Sequence, residues 1–307
     1  MGDGASIQLP ASSMLKGYFL VIIAAVLWAT MGLFYKGLMA TYALPALTIV
    51  FWRAAIAALA LFLALLPRRR ASLRIARRDW PLFLGFGALG VAAFYAIYIY
   101  AIDLAGMGVA AVLMYTAPVW VTLYSAVFLH ERLTASKATA LLLALAGCAL
   151  VGRLYDVTGV ALNRPGILAG LGAGLTYGTY ILFSKAAAQR AYSPSAALAY
   201  ALALGAGFLL PFQALADVLR PLTSPALALW LLILGLVPTL GGGIAFNAGL
   251  HHISASNASI IATLEPVIAA ALGWAVWGER LDAPQLLGAG LTLAAVVILQ
   301  RPSRTPR

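Results

Sequence analysis

One carboxylate stands near the middle of a long apolar stretch in this sequence: Glu265, within Ile260-Ile261-Ala262-Thr263-Leu264-Glu265-Pro266-Val267. A charged group in hydrocarbon costs at least about 2.5 kcal/mol on insertion scales, so a water-filled cavity or a partner is expected beside it. Such a carboxyl could bind an amino group or exchange a proton; alternatively it stays protonated and hydrogen-bonds a neighbouring helix. Pro266 lacks a backbone donor, which leaves a carbonyl of the preceding turn available. Aromatic residues supply the other candidate chemistry. Phe94, Tyr95 and Tyr98 have the three- and four-residue spacing that shares one helix face, whereas Tyr100 points elsewhere, toward the bilayer interface. Ring contacts are worth about 0.5–1.5 kcal/mol each beyond burial, and a cation over a ring gains a comparable amount. Trp28, Tyr115, Tyr177, Tyr180, Phe246 and Asn247 complete the set of candidate binding residues.

Other polar residues are weighed against plainer roles. Thr116, Thr176 and Thr179 can hydrogen-bond a substrate or their own helix, and Asn257 flanks a short connection with Asn247. Arg53 is expected to snorkel toward the outer surface, with a carboxylate contact as the alternative. Tyr18, Tyr35, Tyr42, Trp80, Tyr192 and Trp230 lie near the ends of apolar stretches and are expected in interfacial belts. His130 and His251-His252 have no thiol or carboxylate neighbours in sequence, and Cys148 is the single cysteine, so neither a metal site nor a disulfide is expected. No nucleophile–base pair or second buried carboxylate accompanies Glu265, so no catalytic residue and no cofactor are expected. No Gly-x4-Gly-Lys-Ser/Thr loop occurs either, which argues against an ATP-driven pump.

The elements that must position these residues follow from composition. Hydrophobic residues make up 63%, charged residues 9%, and mean hydropathy is +0.96; a soluble domain carries about 45–50% and about 25% respectively. About 20 apolar residues cross a bilayer core, and ten such spans are read: 17–36, 45–66, 82–102, 107–128, 135–152, 166–188, 195–215, 227–248, 255–276 and 283–300. The runs are continuous rather than alternating, which excludes a β-barrel. The expected fold is an all-α integral membrane protein lying in the lipid bilayer. The net charge of +11 is concentrated between spans two and three, at Arg68, Arg69, Arg70, Arg74, Arg77 and Arg78, and reads as a topology signal rather than a nucleic-acid site. With the N-terminus inside, Lys16, those six arginines, Arg132, Lys137, Lys185, Arg190, Arg301, Arg304 and Arg307 are cytoplasmic; only Lys36, Arg153, Arg164, Arg220 and Arg280 face out. Both termini are therefore expected in the cytoplasm.

An internal repeat organises the spans. His130-Glu131-Arg132-Leu133-Thr134 corresponds to Gly278-Glu279-Arg280-Leu281-Asp282, each glutamate thirteen residues after a proline (Pro118, Pro266). At an offset of 149, Gly17 meets Gly166, Thr30 meets Thr179, Phe34 meets Phe183, Lys36 meets Lys185 and Pro45 meets Pro194, and at 148 Gly87 meets Gly235. Trp28 falls on Tyr177, and Tyr98 on Phe246. Residues 16–155 and 164–301 are thus read as two five-helix repeats. Because five is odd, the second copy is inverted, the plan of many secondary transporters with a mid-membrane site between the halves. Gly85, Gly87 and Gly90 of span three match Gly235, Pro238 and Gly241-Gly242-Gly243 of span eight, as bending points or as sites of close packing.

The ten-span plan, the paired Pro-x12-Glu-Arg-Leu endings and Leu264-Glu265-Pro266-Val267 with Gly273-Trp274 resemble the EamA group of the drug/metabolite transporter superfamily over residues 16–300. More narrowly, the chain is similar to the bacterial aromatic amino-acid exporters of the YddG type. The resemblance implies a metabolite exporter of the bacterial inner membrane, its cavity lined by spans one, three, four, six, eight and nine. The expected function is alternating-access export of aromatic and other apolar amino acids. Another small metabolite, a lipophilic cation or a passive channel remain the alternatives, and one chain carrying both halves suffices as a monomer.

Overall fold

The computed structural model describes residues 11–131, 133–156, 164–278 and 280–300. Arg132, Glu279, Arg301, Arg304 and Arg307, named above, lie outside the described residues, as do residues 1–10. The described chain is helical and contains no strand. Ten apolar helices run in order: α1 Ser12–Tyr42, α2 Ala46–Pro67, α3 Arg77–Ala105, α4 Gly108–Phe128, α5 Ala135–Val151, α6 Arg164–Gln189, α7 Pro194–Phe212, α8 Pro225–Leu250, α9 Ala255–Val276 and α10 Ala283–Gln300. Among the described residues, nine are long and apolar enough to cross a membrane; α5 has 17 residues and is the short one.

Several helices are interrupted, and the sequence explains where. A turn at Thr30 divides α1. In α4 the segment ending at Met114 gives way at Tyr115-Thr116 to a helix beginning at Ala117. In α9 the break falls at Thr263, between Ala255–Ala262 and Leu264–Trp277. Pro118 and Pro266 follow these breaks and cannot donate to the carbonyls of Met114 and Ala262, four residues earlier. α3 and α8 instead pass through π-helical segments, Phe86–Ala93 and Gly235–Gly241. These are the glycine- and proline-bearing stretches expected to bend. Their glycines also serve close packing. A Cβ on Gly87 would run into Leu204 Cβ on α7, and one on Gly235 would lie 2.7 Å from Ile56 Cγ2 on α2.

The packing partners are distributed evenly between the two halves. α1 packs on α8 and α9, while α6 packs on α3 and α4. α7 lies on the π segment of α3, and α2 on that of α8. α5 packs along α10. The buried residues of α5 are Ala140, Ala144, Gly147, Cys148 and Val151; those of α10 are Gly288, Thr292, Ala295, Val296 and Leu299. Each is 148 residues from its counterpart. Small residues let these two backbones approach closely, as membrane helix pairs require: a Cβ on Gly147 would come within 2.7 Å of the Gly288 carbonyl oxygen.

Three observations depart from the sequence reading. α1 continues to Tyr42 rather than stopping near 36; at 1.5 Å per residue this 31-residue stretch exceeds a bilayer core of about 30 Å. A short helix, Leu215–Thr223, joins α7 and α8. It exposes Leu215, Leu219 and Leu222 on one side, as a helix lying in the membrane interface does, and its Arg220 Nη2 donates to the Tyr42 carbonyl at 2.5 Å. Finally, Tyr18 is no belt residue. It is 3% exposed, because its hydroxyl donates to the Leu299 carbonyl (2.9 Å) and accepts from Asn257 Nδ2 (3.1 Å).

Candidate functional site

The aromatic residues singled out by spacing meet inside the bundle. Phe94 is central on α3: its ring lies 5.4 Å from Tyr95, 6.0 Å from Tyr98 and 5.0 Å from Tyr177 of α6, stacked on the last two. Tyr177 meets Trp28 of α1 edge-on at 6.4 Å and stacks on Tyr180 at 6.3 Å. Phe246 of α8 closes the group against Trp28 at 5.1 Å and Tyr180 at 6.2 Å. Asn247 Nδ2 donates to the Tyr180 hydroxyl (3.1 Å) and to the Gly243 carbonyl (2.8 Å). Eight of the ten expected residues thus form one connected network drawn from four helices.

The remaining two stand beside it. Glu265, the eleventh residue of α9, has its carboxyl next to the Tyr115 hydroxyl and within electrostatic reach of Arg53. Tyr98, Tyr177 and Cys148 also lie in its field. Glu265 keeps some accessible surface although it sits halfway along its helix. Trp28, Phe94 and Tyr98 likewise retain accessible surface, whereas Tyr95, Tyr115, Tyr177, Tyr180, Phe246 and Asn247 are buried. Phe246, at 0% exposure, backs Trp28 and Tyr180 rather than facing open space. Two clefts, of about 530 Å³ (Phe62, Leu66, Arg70, Arg74, Tyr200) and about 440 Å³ (Arg153, Ala270, Arg280, Gln285), lie away from this network.

Small residues make the arrangement possible. A Cβ on Gly242 would lie 2.5 Å from Trp28 Nε1, so glycine there gives the indole its place. A Cβ on Gly174 would lie 2.6 Å from Thr116 Oγ1 and 3.0 Å from the carbonyl oxygens of Leu113 and Met114. α6 therefore rests directly on the break in α4. The three threonines bond their own helices: Thr116 to Leu113 O (2.7 Å), Thr176 to Gly172 O (2.8 Å) and Thr179 to Thr176 O (2.7 Å).

Two residues carry more than the sequence reading gave them. Arg53 does not snorkel outward. It is 7% exposed, stacks its guanidinium 4.1 Å over the Tyr95 ring, and turns Nη1 toward Met31 Sδ at 2.9 Å. Its place in the first half of α2 suited either direction, and only the packing of α1 and α3 around it selects the inward one. Glu131 was visible only as a landmark of the repeat. It caps the N-terminus of α9: the Ala255 N–H donates to Oε1 (2.8 Å), while the Ser256 hydroxyl (2.7 Å) and Lys137 Nζ (3.2 Å) reach Oε2. Burial pushes this carboxyl up, but the Ser256 hydroxyl, the Lys137 charge and the Ala255 N–H outweigh it and hold it below the usual glutamate value. Close by, Lys185 Nζ donates to the carbonyls of Leu250 (2.6 Å) and Ile253 (2.7 Å), a cation at the C-terminal end of α8 where the helix dipole favours one.

A multi-span helical bundle holding an aromatic and carboxylate network in its interior is the design of a membrane transporter rather than an enzyme. Residues 15–153 and 164–301 each match the EamA-like transporter family, and the chain belongs to it. An uncharacterized transporter of Archaeoglobus fulgidus is 34% identical over 69% of this chain and 76% of its own length. The pseudopaline exporter CntI of Pseudomonas aeruginosa is 27% identical over 94% of this chain and 97% of its own. A probable terminal-alkyne amino-acid exporter of Streptantibioticus cattleyicolor is 28% identical over 73% and 74%. One crystal structure shares the fold, with a TM-score of 0.74 over 94% of this chain and 96% of its own at 19% identity.

Proposed function

We propose that this protein exports aromatic and other apolar amino acids across a bacterial inner membrane by alternating access. The observation that carries the reading is the single network of Trp28, Phe94, Tyr95, Tyr98, Tyr177, Tyr180, Phe246 and Asn247, set beside Tyr115 and Glu265. Ring faces match the cargo side chain, and Glu265 matches its ammonium group. Relatives bearing exporter names, one of them for an amino acid, support the same direction and cargo class.

The architecture in this reading is ten spans in two inverted repeats, 16–155 and 164–301, with both termini in the cytoplasm. Helix boundaries support the repeat: the break after Met114 and the one after Ala262 are 148 residues apart, and Thr134 and Asp282, also 148 apart, cap α5 and α10. The position-by-position match of the α5 and α10 faces is what a pseudo-two-fold axis in the membrane plane produces. Two halves of similar energy in opposite tilts would give inward- and outward-facing states.

Counterflow of labelled phenylalanine or tryptophan in liposomes holding the purified protein, with and without a pH gradient, tests this. Saturable exchange competed by unlabelled aromatic amino acids is expected. A gradient effect lost in Glu265→Gln assigns proton coupling to that carboxyl, and indifference to pH means facilitated exchange. Uptake that neither saturates nor shows counterflow would mean a channel and sink the alternating-access reading.

A further inference from the structure

Arg53 is a cation held inside the bundle without a matching anion in contact. It lies eight residues into α2, and no carboxylate forms an ion pair with it among the described residues. Its Nε is buried and has no hydrogen-bond partner among them. What it touches is soft and replaceable: the Met31 thioether at Nη1 and the Tyr95 ring below its plane. A thioether is a weak acceptor on a flexible side chain, whereas a guanidinium presents five donors in a rigid fork that fits a carboxylate in two-point contact. Buried donors of this kind are normally satisfied, and one left over in a native structure asks for an explanation.

The surroundings indicate which anion fits. From Arg53 the rings lead through Tyr95 to Phe94, then to Tyr98 and Tyr177, and these last two lie in the field of Glu265. A fixed cation, a wall of rings and a fixed carboxyl therefore occur in sequence within one interior site. We propose that Arg53 binds the α-carboxylate of a zwitterionic cargo, with Glu265 taking its ammonium group, and that Arg53 thereby sets the selectivity against amines that lack a carboxylate. This rests on the export reading above and narrows it. The cargo must carry both charges, because an amine without a carboxylate meets Glu265 but brings a second cation near Arg53 and leaves the guanidinium fork unfilled. Specificity here has an attractive and a repulsive component. Met31 gives way when the carboxylate arrives.

The test is competition against labelled phenylalanine counterflow in liposomes by three ligands: phenylalanine, phenethylamine (no carboxylate) and 3-phenylpropionate (no ammonium). For the wild type, phenethylamine and phenylpropionate should each compete at least tenfold more weakly than phenylalanine. In Arg53→Gln the half-inhibiting phenylalanine concentration should rise at least tenfold while that of phenethylamine stays or falls, so discrimination collapses. Arg53→Lys keeps the charge without the fork and should lie between. Ligand-induced thermal shifts of the same proteins in detergent give a second readout, and the Lys variant decides the matter if the Gln variant does not fold. Equal competition by phenethylamine in the wild type, or uniform weakening of all ligands in both variants, would overturn the assignment while leaving the export reading intact. Absence of phenylalanine counterflow in the wild type would overturn both.

Discussion

Replacing Glu131 by alanine removes the carboxylate that receives the first donors of α9. Two short bonds are lost, from the Ala255 N–H at 2.8 Å and the Ser256 hydroxyl at 2.7 Å. A hydrogen bond to a charged group contributes about 1.5–3 kcal/mol, and an anion at a helix N-terminus about 0.3–1 kcal/mol. The Lys137 contact at 3.2 Å joins two largely but not wholly buried side chains and adds at most about 1 kcal/mol after solvent screening. These contributions overlap, so the expected loss for Glu131→Ala is about 2–4 kcal/mol, from the overlapping hydrogen-bond values. The assay is a double-mutant cycle of Glu131→Ala with Ser256→Ala, read by unfolding in detergent micelles at several pH values. Coupling of about 1–2 kcal/mol is expected at pH 7, within the range for groups in direct contact. The pH dependence has a fixed sign. The folded carboxyl is held below its usual value, so its contribution is fully present above the unfolded value of about 4.3 and is lost as pH falls through the lower folded one. Strictly additive single mutants at pH 7, or a coupling that grows on acidification, would refute the reasoning.

Three further outcomes follow from the packing and the rings. Gly147→Ala places a Cβ within 2.7 Å of the Gly288 carbonyl oxygen and against Thr292; an overpacking cost of about 1–3 kcal/mol should appear as a lower unfolding midpoint, partly restored by adding Thr292→Ala. Gly174→Val drives α6 off the break in α4, where a Cβ alone would already lie 2.6 Å from Thr116 Oγ1, and should abolish counterflow in protein that still inserts and purifies. Tyr177→Ala removes the ring that joins Phe94, Trp28 and Tyr180. At about 0.5–1.5 kcal/mol per ring contact, the apparent phenylalanine affinity should fall roughly two- to twelvefold, measured by competition, with a smaller change for leucine.

The helices were legible because the apolar runs are continuous and many are bounded by charge or proline, as at Pro194 and Pro225, which open α7 and α8. Which side a residue faces was less so. Tyr18 lies near a span end and Arg53 in the first half of span two, where belts and snorkelling are the ordinary outcome. Each turns inward because of residues far away in sequence: Leu299 and Asn257 for Tyr18, and Tyr95 for Arg53. That Phe94 and Tyr98 share one face was legible from helix spacing, since that rule fixes a face before any partner is known; that Phe94 stacks on Tyr177 as well was not. The Glu131 cap was not, because its partners lie 124 and 125 residues away. The Leu215–Thr223 helix fell almost wholly within the connection read between 215 and 227, because its nine residues give too short a window for periodicity to declare itself.

The two π segments give the bundle a means of changing without hinging. A π turn holds a residue more than the α-helical turn that could replace it. Drawing one such turn tight would advance everything beyond it by about 1.5 Å and rotate it by about 100°. In α3 what lies beyond Phe86–Ala93 is Phe94, Tyr95 and Tyr98; in α8, beyond Gly235–Gly241, it is Phe246 and Asn247. The rings are thus suspended from both sides on helix that can be re-threaded, so winding alone would swing them out of the interior while the residues preceding each π segment kept their places.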